Sequence, residues 1–196
     1  MFARVIGAFV IAACAVSSAQ AQGYMGLSLG QTRYPNACDG APASIKCDSS
    51  DMGFKLFGGY RFHPRFALEA GANMLGTVRA STGEAVDLAA LDLSVLGSWP
   101  LGNRFALQAR LGAYYGDMAA TPTTVAVPAI FPPPPPPPQR GWKGGDNTGV
   151  TYGLGASYDL TDQGTLRFEW QRFQDLGGGG PTLDVDLFSV GALYRF

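Results

Sequence analysis

Long apolar runs are missing from most of this sequence. Beyond the first residues no stretch reaches the length of about 18 apolar residues that marks a membrane helix, so a helical membrane protein is excluded. Histidine occurs once, at His63, which leaves catalysis with a single imidazole and removes His-rich metal sites. Charge of either sign is sparse and balanced: 14 Lys+Arg face 15 Asp+Glu, for a net −1, so there is no basic surface for nucleic acid. No metal-ligand cluster, P-loop or G-x-S-x-G occurs, and apolar residues show no helical period. Metal ions and cofactors are therefore not expected.

Glycine and proline are plentiful, at 27 and 14, which fits short strands and turns. The first residues, MFARVIGAFVIAACAVSSAQAQG, read as an export signal. Arg4 gives the charged region, Val5 to Val16 the apolar region, and Ala19-Gln20-Ala21 an A-x-A site. Residues 1–21 are expected to be removed, leaving 22–196 as the mature domain. The apolar run is too short to span about 30 Å of hydrocarbon, and lipidation at Cys14 would cramp the regions before it. Export leaves Cys38 and Cys47 as an even pair, read as a loop-stapling disulfide because CxxC spacing and a nearby His are both lacking.

Eight segments alternate with a period of two: 24–34, 52–62, 66–78, 87–99, 104–116, 149–160, 165–175 and 184–196. Most approach the 9–11 residues that a tilted strand needs to cross a bilayer. Tight breaks at His63-Pro64-Arg65, Pro100–Asn103 and Thr161–Gly164 alternate with longer ones at 35–51, 79–86, 117–148 and 176–183. Short turns at one end and long loops at the other are the layout of a bacterial transmembrane barrel. One face of the strands carries residues such as Phe54, Leu56, Leu68, Leu93, Leu111, Leu154, Phe168, Trp170 and Val190. The other carries Lys55, Arg61, Glu69, Asp92, Arg110, Asp159, Arg167, Glu169 and Arg195, five cations and four carboxylates, interspersed with Gly26, Gly30, Gly59, Gly71, Gly112, Gly153, Gly155 and Gly191. Glycine weakens a strand on a wetted face but makes room in a narrow lumen, and near-balanced charge suits a buried set. Aromatic residues gather towards strand ends, at Tyr24, Tyr34, Tyr60, Phe62, Phe66, Trp99, Phe105, Tyr115, Tyr158, Tyr194 and Phe196, as interfacial girdles would. The apolar face is thus assigned to lipid and the charged face to the interior. A soluble barrel with an apolar ligand inside would share the periodicity with the faces exchanged.

The residues also carry a resemblance. FKLFGGYRFHPRFALEAGANMLG resembles the second and third strands of the OmpA-like and OmpX-like eight-stranded outer-membrane barrels. LQARLGAYY, TYGLGASYDLT, LRFEWQRF and FSVGALYRF match later strands in order. The resemblance implies an all-β fold, an eight-stranded antiparallel transmembrane up-and-down barrel, in a Gram-negative outer membrane. It implies recognition of Tyr194 and Phe196 by the barrel-assembly machinery, and places Glu69, Arg110 and Glu169 in a lumen charge network. The chain stops at Phe196, so only the barrel of that family is matched and cell-wall anchoring through its peptidoglycan-binding domain is not carried over.

Function is expected in the envelope and at its surface. The partners are outer-membrane lipid and lipopolysaccharide, with a monomeric barrel holding up loops for adhesion or recognition. FPPPPPPPQRGW in the third long loop should form an extended polyproline rod of about 3.1 Å per residue. It reads first as a solvated spacer, and in a sharper version as a stalk presenting Arg140, Trp142 and Lys143 to a host or surface ligand. The alternative is a narrow ion or small-solute channel; a lipid A-modifying enzyme comes third, because His63 sits in a predicted periplasmic turn and Ser28, Ser94, Ser157 and Ser189 lack a base in reach.

Overall fold

The computed structural model describes residues 23–35, 50–79, 85–121, 145–177 and 182–196. They form β1 (Gly23–Arg33), β2 (Ser50–His63), β3 (Phe66–Arg79), β4 (Ala85–Pro100), β5 (Phe105–Thr121), β6 (Gly145–Asp159), β7 (Gly164–Leu176) and β8 (Leu183–Arg195). Each strand pairs antiparallel with the next, and β1 pairs with β8, so the sheet closes into a barrel with no free edge. The signal segment, the Cys38 and Cys47 pair and Arg140, Trp142 and Lys143 of the proline loop all lie outside the described residues.

The tight breaks are where turn chemistry places them. Pro64 and Arg65 link β2 to β3; Leu101–Arg104 link β4 to β5, where Leu101 N–H donates to Phe105 O at 2.9 Å; and the β6–β7 turn is tied by Gly164 N–H donating to Thr161 Oγ1 at 2.8 Å. At the opposite end the strands run further than the alternation indicates. β5 continues to Thr121 and β6 begins at Gly145, so the expected loop 117–148 is partly strand, as are the margins of 35–51 and 79–86.

The reason is a reversal of polarity along each strand. Outward-facing runs such as Phe54–Phe62, Phe66–Met74, Leu91–Trp99, Val150–Tyr158 and Phe188–Phe196 are apolar and, apart from Gly97 under the Trp99 ring, exposed or half-exposed. Nine residues at about 3.4 Å each, tilted by roughly 40°, rise about 23 Å, close to the apolar band of a membrane barrel. Towards the long-loop end the outward positions become Gln31, Arg33, Asp87, Thr148, Arg172 and Asp186. At that level the interior becomes apolar: Tyr34, Leu75, Leu88, Ala90, Tyr114, Phe173, Leu176, Leu183, Val185 and Leu187 form one buried cluster. The barrel is lipid-facing with an ionic core below and resembles a soluble β-barrel above, so the expectation of a polar interior holds for only part of its height. Period-two reading fades there because the side that must be apolar has changed.

Two bulges accompany this change. Register shifts lie at Met74/Gly76 in β3 and Phe173/Leu176 in β7. Gly76 has φ +89°, and an added Cβ would stand 2.8 Å from the Asp51 side chain, whose carboxylate accepts the Thr77 N–H at 2.7 Å. Tyr24 and Tyr34 depart from the expected girdle: both point inward, at 6% and 1% exposure. They share the parity of Gly26 and Gly30, already on the inner face, and β1 cannot place them on opposite sides. The remaining ring is dense at the short-turn end, with Tyr60, Phe62, Phe66, Trp99, Phe105, Tyr158, Tyr194 and Phe196 outward, and sparser at the other, where Tyr115, Trp170 and Phe188 face out.

Candidate functional site in the barrel lumen

The middle of the lumen is an ionic layer drawn from five strands. β2 contributes Lys55, β3 Glu69, β4 Asp92, β5 Arg110, and β7 both Arg167 and Glu169. All are inward by strand parity, and all are at most 9% exposed. Arg110 is the hub: one guanidinium nitrogen, Nη1, lies 2.6 Å from Glu169 Oε1, while Nη2 lies 2.9 Å from Asp92 Oδ2 and 3.3 Å from Glu69 Oε1. Lys55 Nζ stands 2.7 Å from Glu169 Oε1 and 3.6 Å from Glu69 Oε1. Arg167 Nη1 meets Glu69 Oε2 at 2.6 Å and lies over the Phe57 ring, 4.6 Å from its centroid. Three cations thus share three carboxylates, and no ion is left isolated in a low-dielectric interior.

Neutral groups add further hydrogen bonds. Gln171 Oε1 accepts from Lys55 Nζ at 2.9 Å and Arg110 Nη1 at 3.0 Å, while its amide donates to Thr151 Oγ1 at 2.9 Å. Asp92 accepts from Asn73 Nδ2 at 2.7 Å and Ser94 Oγ at 2.9 Å; Glu69 accepts from the Tyr24 hydroxyl at 2.9 Å. Gln171, Asn73, Thr151, Tyr24 and Phe57 were not among the sequence candidates, although strand parity alone puts them inside. The glycines make this packing fit: a Cβ on Gly71 would stand 2.5 Å from Asp92 Oδ1, and one on Gly59 2.4 Å from the Tyr24 ring. A side chain there would displace the network.

Apolar layers close the ionic one at both ends. Tyr24, Phe57, Ala67, Leu96 and Leu193 cluster on the short-turn side, and the larger cluster around Phe173 and Tyr114 closes the long-loop side. There the Tyr114 and Phe173 rings meet edge-on with centroids 5.5 Å apart, and the Tyr114 hydroxyl donates to the carbonyl of Gln174.

Of the nine charges expected to form one network, six meet in mid-lumen. Asp159 and Arg195 form a separate, partly exposed pair at 2.5 Å near the short-turn end. Arg61 joins neither group. Tyr194 and Phe196 face outward at the end of the last strand, their rings 5.7 Å apart. His63 is exposed in the β2–β3 turn, where its Nδ1 accepts the Arg65 N–H at 3.2 Å. Among the described residues no group of three or more His, Cys, Asp or Glu is placed to hold a metal ion, and no helix is long and apolar enough to cross a membrane.

Comparison with known proteins agrees with this geometry. No curated protein sequence matches. Among solved structures, the attachment invasion locus protein Ail of Yersinia pestis superposes with a TM-score of 0.53 at 14% identity, covering 91% of this chain and 100% of that one. Neisserial surface protein A gives 0.54 at 13% identity, with 89% and 97% covered. The N-terminal barrel of Pseudomonas aeruginosa OprF gives 0.53 at 12%, with 90% and 100% covered. At these identities the likeness is one of fold. A family model described as the outer membrane protein beta-barrel domain matches residues 3–196. A closed barrel that is apolar outside and ionic within is what that match requires, and the chain belongs to the outer membrane protein beta-barrel family, resident in the outer membrane.

Proposed function

We propose that the protein is a sealed membrane anchor that contributes to envelope integrity and carries surface loops for adhesion or recognition. The observation that carries this reading is the filled lumen, with one ionic layer between two apolar ones. Water-filled channels belong to wider barrels, and eight strands enclose only enough space for side chains. The apolar layer on the long-loop side also offers a permeating ion no hydration. The extracellular rim, which is polar outside, then serves as a rigid platform for the loops.

The same reading covers export and partners. Residues 1–21 act as a cleaved signal, and a Cys38–Cys47 disulfide staples the first loop. Outer-membrane lipid and lipopolysaccharide surround the apolar band, and Tyr194 and Phe196 form the terminal signal for barrel assembly. The neighbouring fold of an attachment and invasion protein supports a loop-borne role, with Arg140, Trp142 and Lys143 as the residues presented to a surface ligand. An enzymatic role has no support from the lone His63. The test is a strain lacking residues 131–140. Reduced adhesion to host cells or matrix, with unchanged outer-membrane abundance, is expected; unchanged adhesion and unchanged detergent sensitivity would remove the loop reading. Planar-bilayer recordings with discrete openings would instead favour the narrow channel, through exchange of Glu69 and Glu169 between Arg110 and Arg167.

A further inference from the structure

Among the described residues the inward charges from mid-lumen to the short-turn end do not balance, and the excess cation sits in one place. In mid-lumen Lys55, Arg110 and Arg167 meet Glu69, Asp92 and Glu169, and nearer the periplasm Arg195 meets Asp159. Arg61 remains, with no ion pair among the described residues. It lines a small cavity at the periplasmic end together with Arg167, Arg195, Gln108 and Thr165, and none of the cavity's lining residues is Asp or Glu. Its volume is ≈ 20 Å³, enough for one water-sized or slightly larger group, since a single water needs roughly 10–15 Å³. The Nε groups of Arg167 and Arg195 are buried without an acceptor, and the Gln108 Oε1 beside them is buried without a donor. Arg167 is 5% exposed, and its Nη1 is drawn to Glu69.

We propose that this vestibule binds one small monovalent anion, either a chloride ion or a single carboxylate group, between the guanidinium groups of Arg61, Arg167 and Arg195. A buried donor without an acceptor is costly, and the half-buried Arg61 shares the cavity with two further cations; one anion relieves both. Water supplies acceptors for the N–H groups but leaves the charge. A divalent anion overshoots the single excess charge, and anything larger than a few atoms exceeds the space.

The test uses the folded barrel in detergent micelles, with the midpoint of heat unfolding read from folded and unfolded bands on a gel. Sodium chloride, acetate and gluconate are compared at equal ionic strength, gluconate being too large to enter. Chloride or acetate should raise the midpoint by roughly 2–4 °C over gluconate, the size expected with the anion about fivefold above its Kd. The shift should vanish in Arg61→Gln, return in Arg61→Lys and persist in Arg104→Gln, a change in an exposed turn. Stabilisation by chloride assigns the free ion, and stabilisation by acetate alone assigns a carboxylate; both support the site. Equal midpoints in all three salts, or a shift of unchanged size in Arg61→Gln, would overturn it. Should Arg61→Gln not fold, crystals of the wild-type chain in bromide decide: an anomalous peak between the three guanidinium groups supports the site, and its absence overturns it.

Discussion

Arg110 reaches three carboxylates at once, so its removal strands several buried charges. Arg110→Ala is expected to destabilise the folded barrel by about 3–5 kcal/mol, measured as a loss of urea resistance after refolding into micelles. The cost arises from the carboxylates left behind. Adding Glu169→Gln to that variant should therefore recover part of the loss, with a coupling on the order of 0.5–3 kcal/mol. Gly71 is the complementary case: a Cβ there meets Asp92 Oδ1 at 2.5 Å, and Gly71→Val is expected to cost about 1–3 kcal/mol through overpacking. These roles were partly visible before the structure. Residue type and parity mark the inner face and single out the charged members such as Glu69, Arg110 and Glu169; parity also puts Gln171 beside Arg167 and Glu169, but an uncharged side chain such as Gln171 or Asn73 gives no sign of network membership when read one strand at a time.

Along a single strand the surroundings change from bilayer to water, and β6 offers a clean comparison. Leu154 lies at the centre of its outward apolar run, while Thr148 is the next outward position beyond Val150, in the polar zone. Leu154→Arg should cost about 2–4 kcal/mol and Thr148→Arg about 0–1 kcal/mol; equal costs in urea titrations would show that the membrane boundary is misplaced. The interior follows the opposite rule. Phe173, fully buried in the apolar cluster above the bilayer, should lose about 3–5 kcal/mol on change to Ala, whereas Phe168→Ala on the lipid face of the same strand should lose less, since no packed cavity is left there.

For the whole molecule, closure and filling have consequences that no single strand carries. Every strand finds two partners, so the barrel should migrate as a compact, heat-modifiable species, and deletion of 131–140 should leave that behaviour unchanged because it removes no residue of β5, which ends at Thr121, or of β6, which begins at Gly145. Single-channel recordings on the intact barrel should show no discrete openings, as expected for a lumen closed by apolar layers at both ends. Discrete conductance in the wild type, lost in Arg110→Ala, would show that the ionic layer moves.

Strand existence, strand order and which side chains share a face were determined by the sequence alone, because side-chain alternation and turn residues are local properties that survive without any partner. The near-balance of lumen charge was equally plain as a count. Which ions meet was decided by the tertiary structure: Lys55 and Glu169 are 114 positions apart and face each other only because the closed sheet brings β2 and β7 to opposite walls of one narrow cylinder. The height at which the interior turns from ionic to apolar was decided there too. Alternation fixes which side chains share a side, but only the assembled barrel, set against lipid below and water above, fixes which side must be greasy.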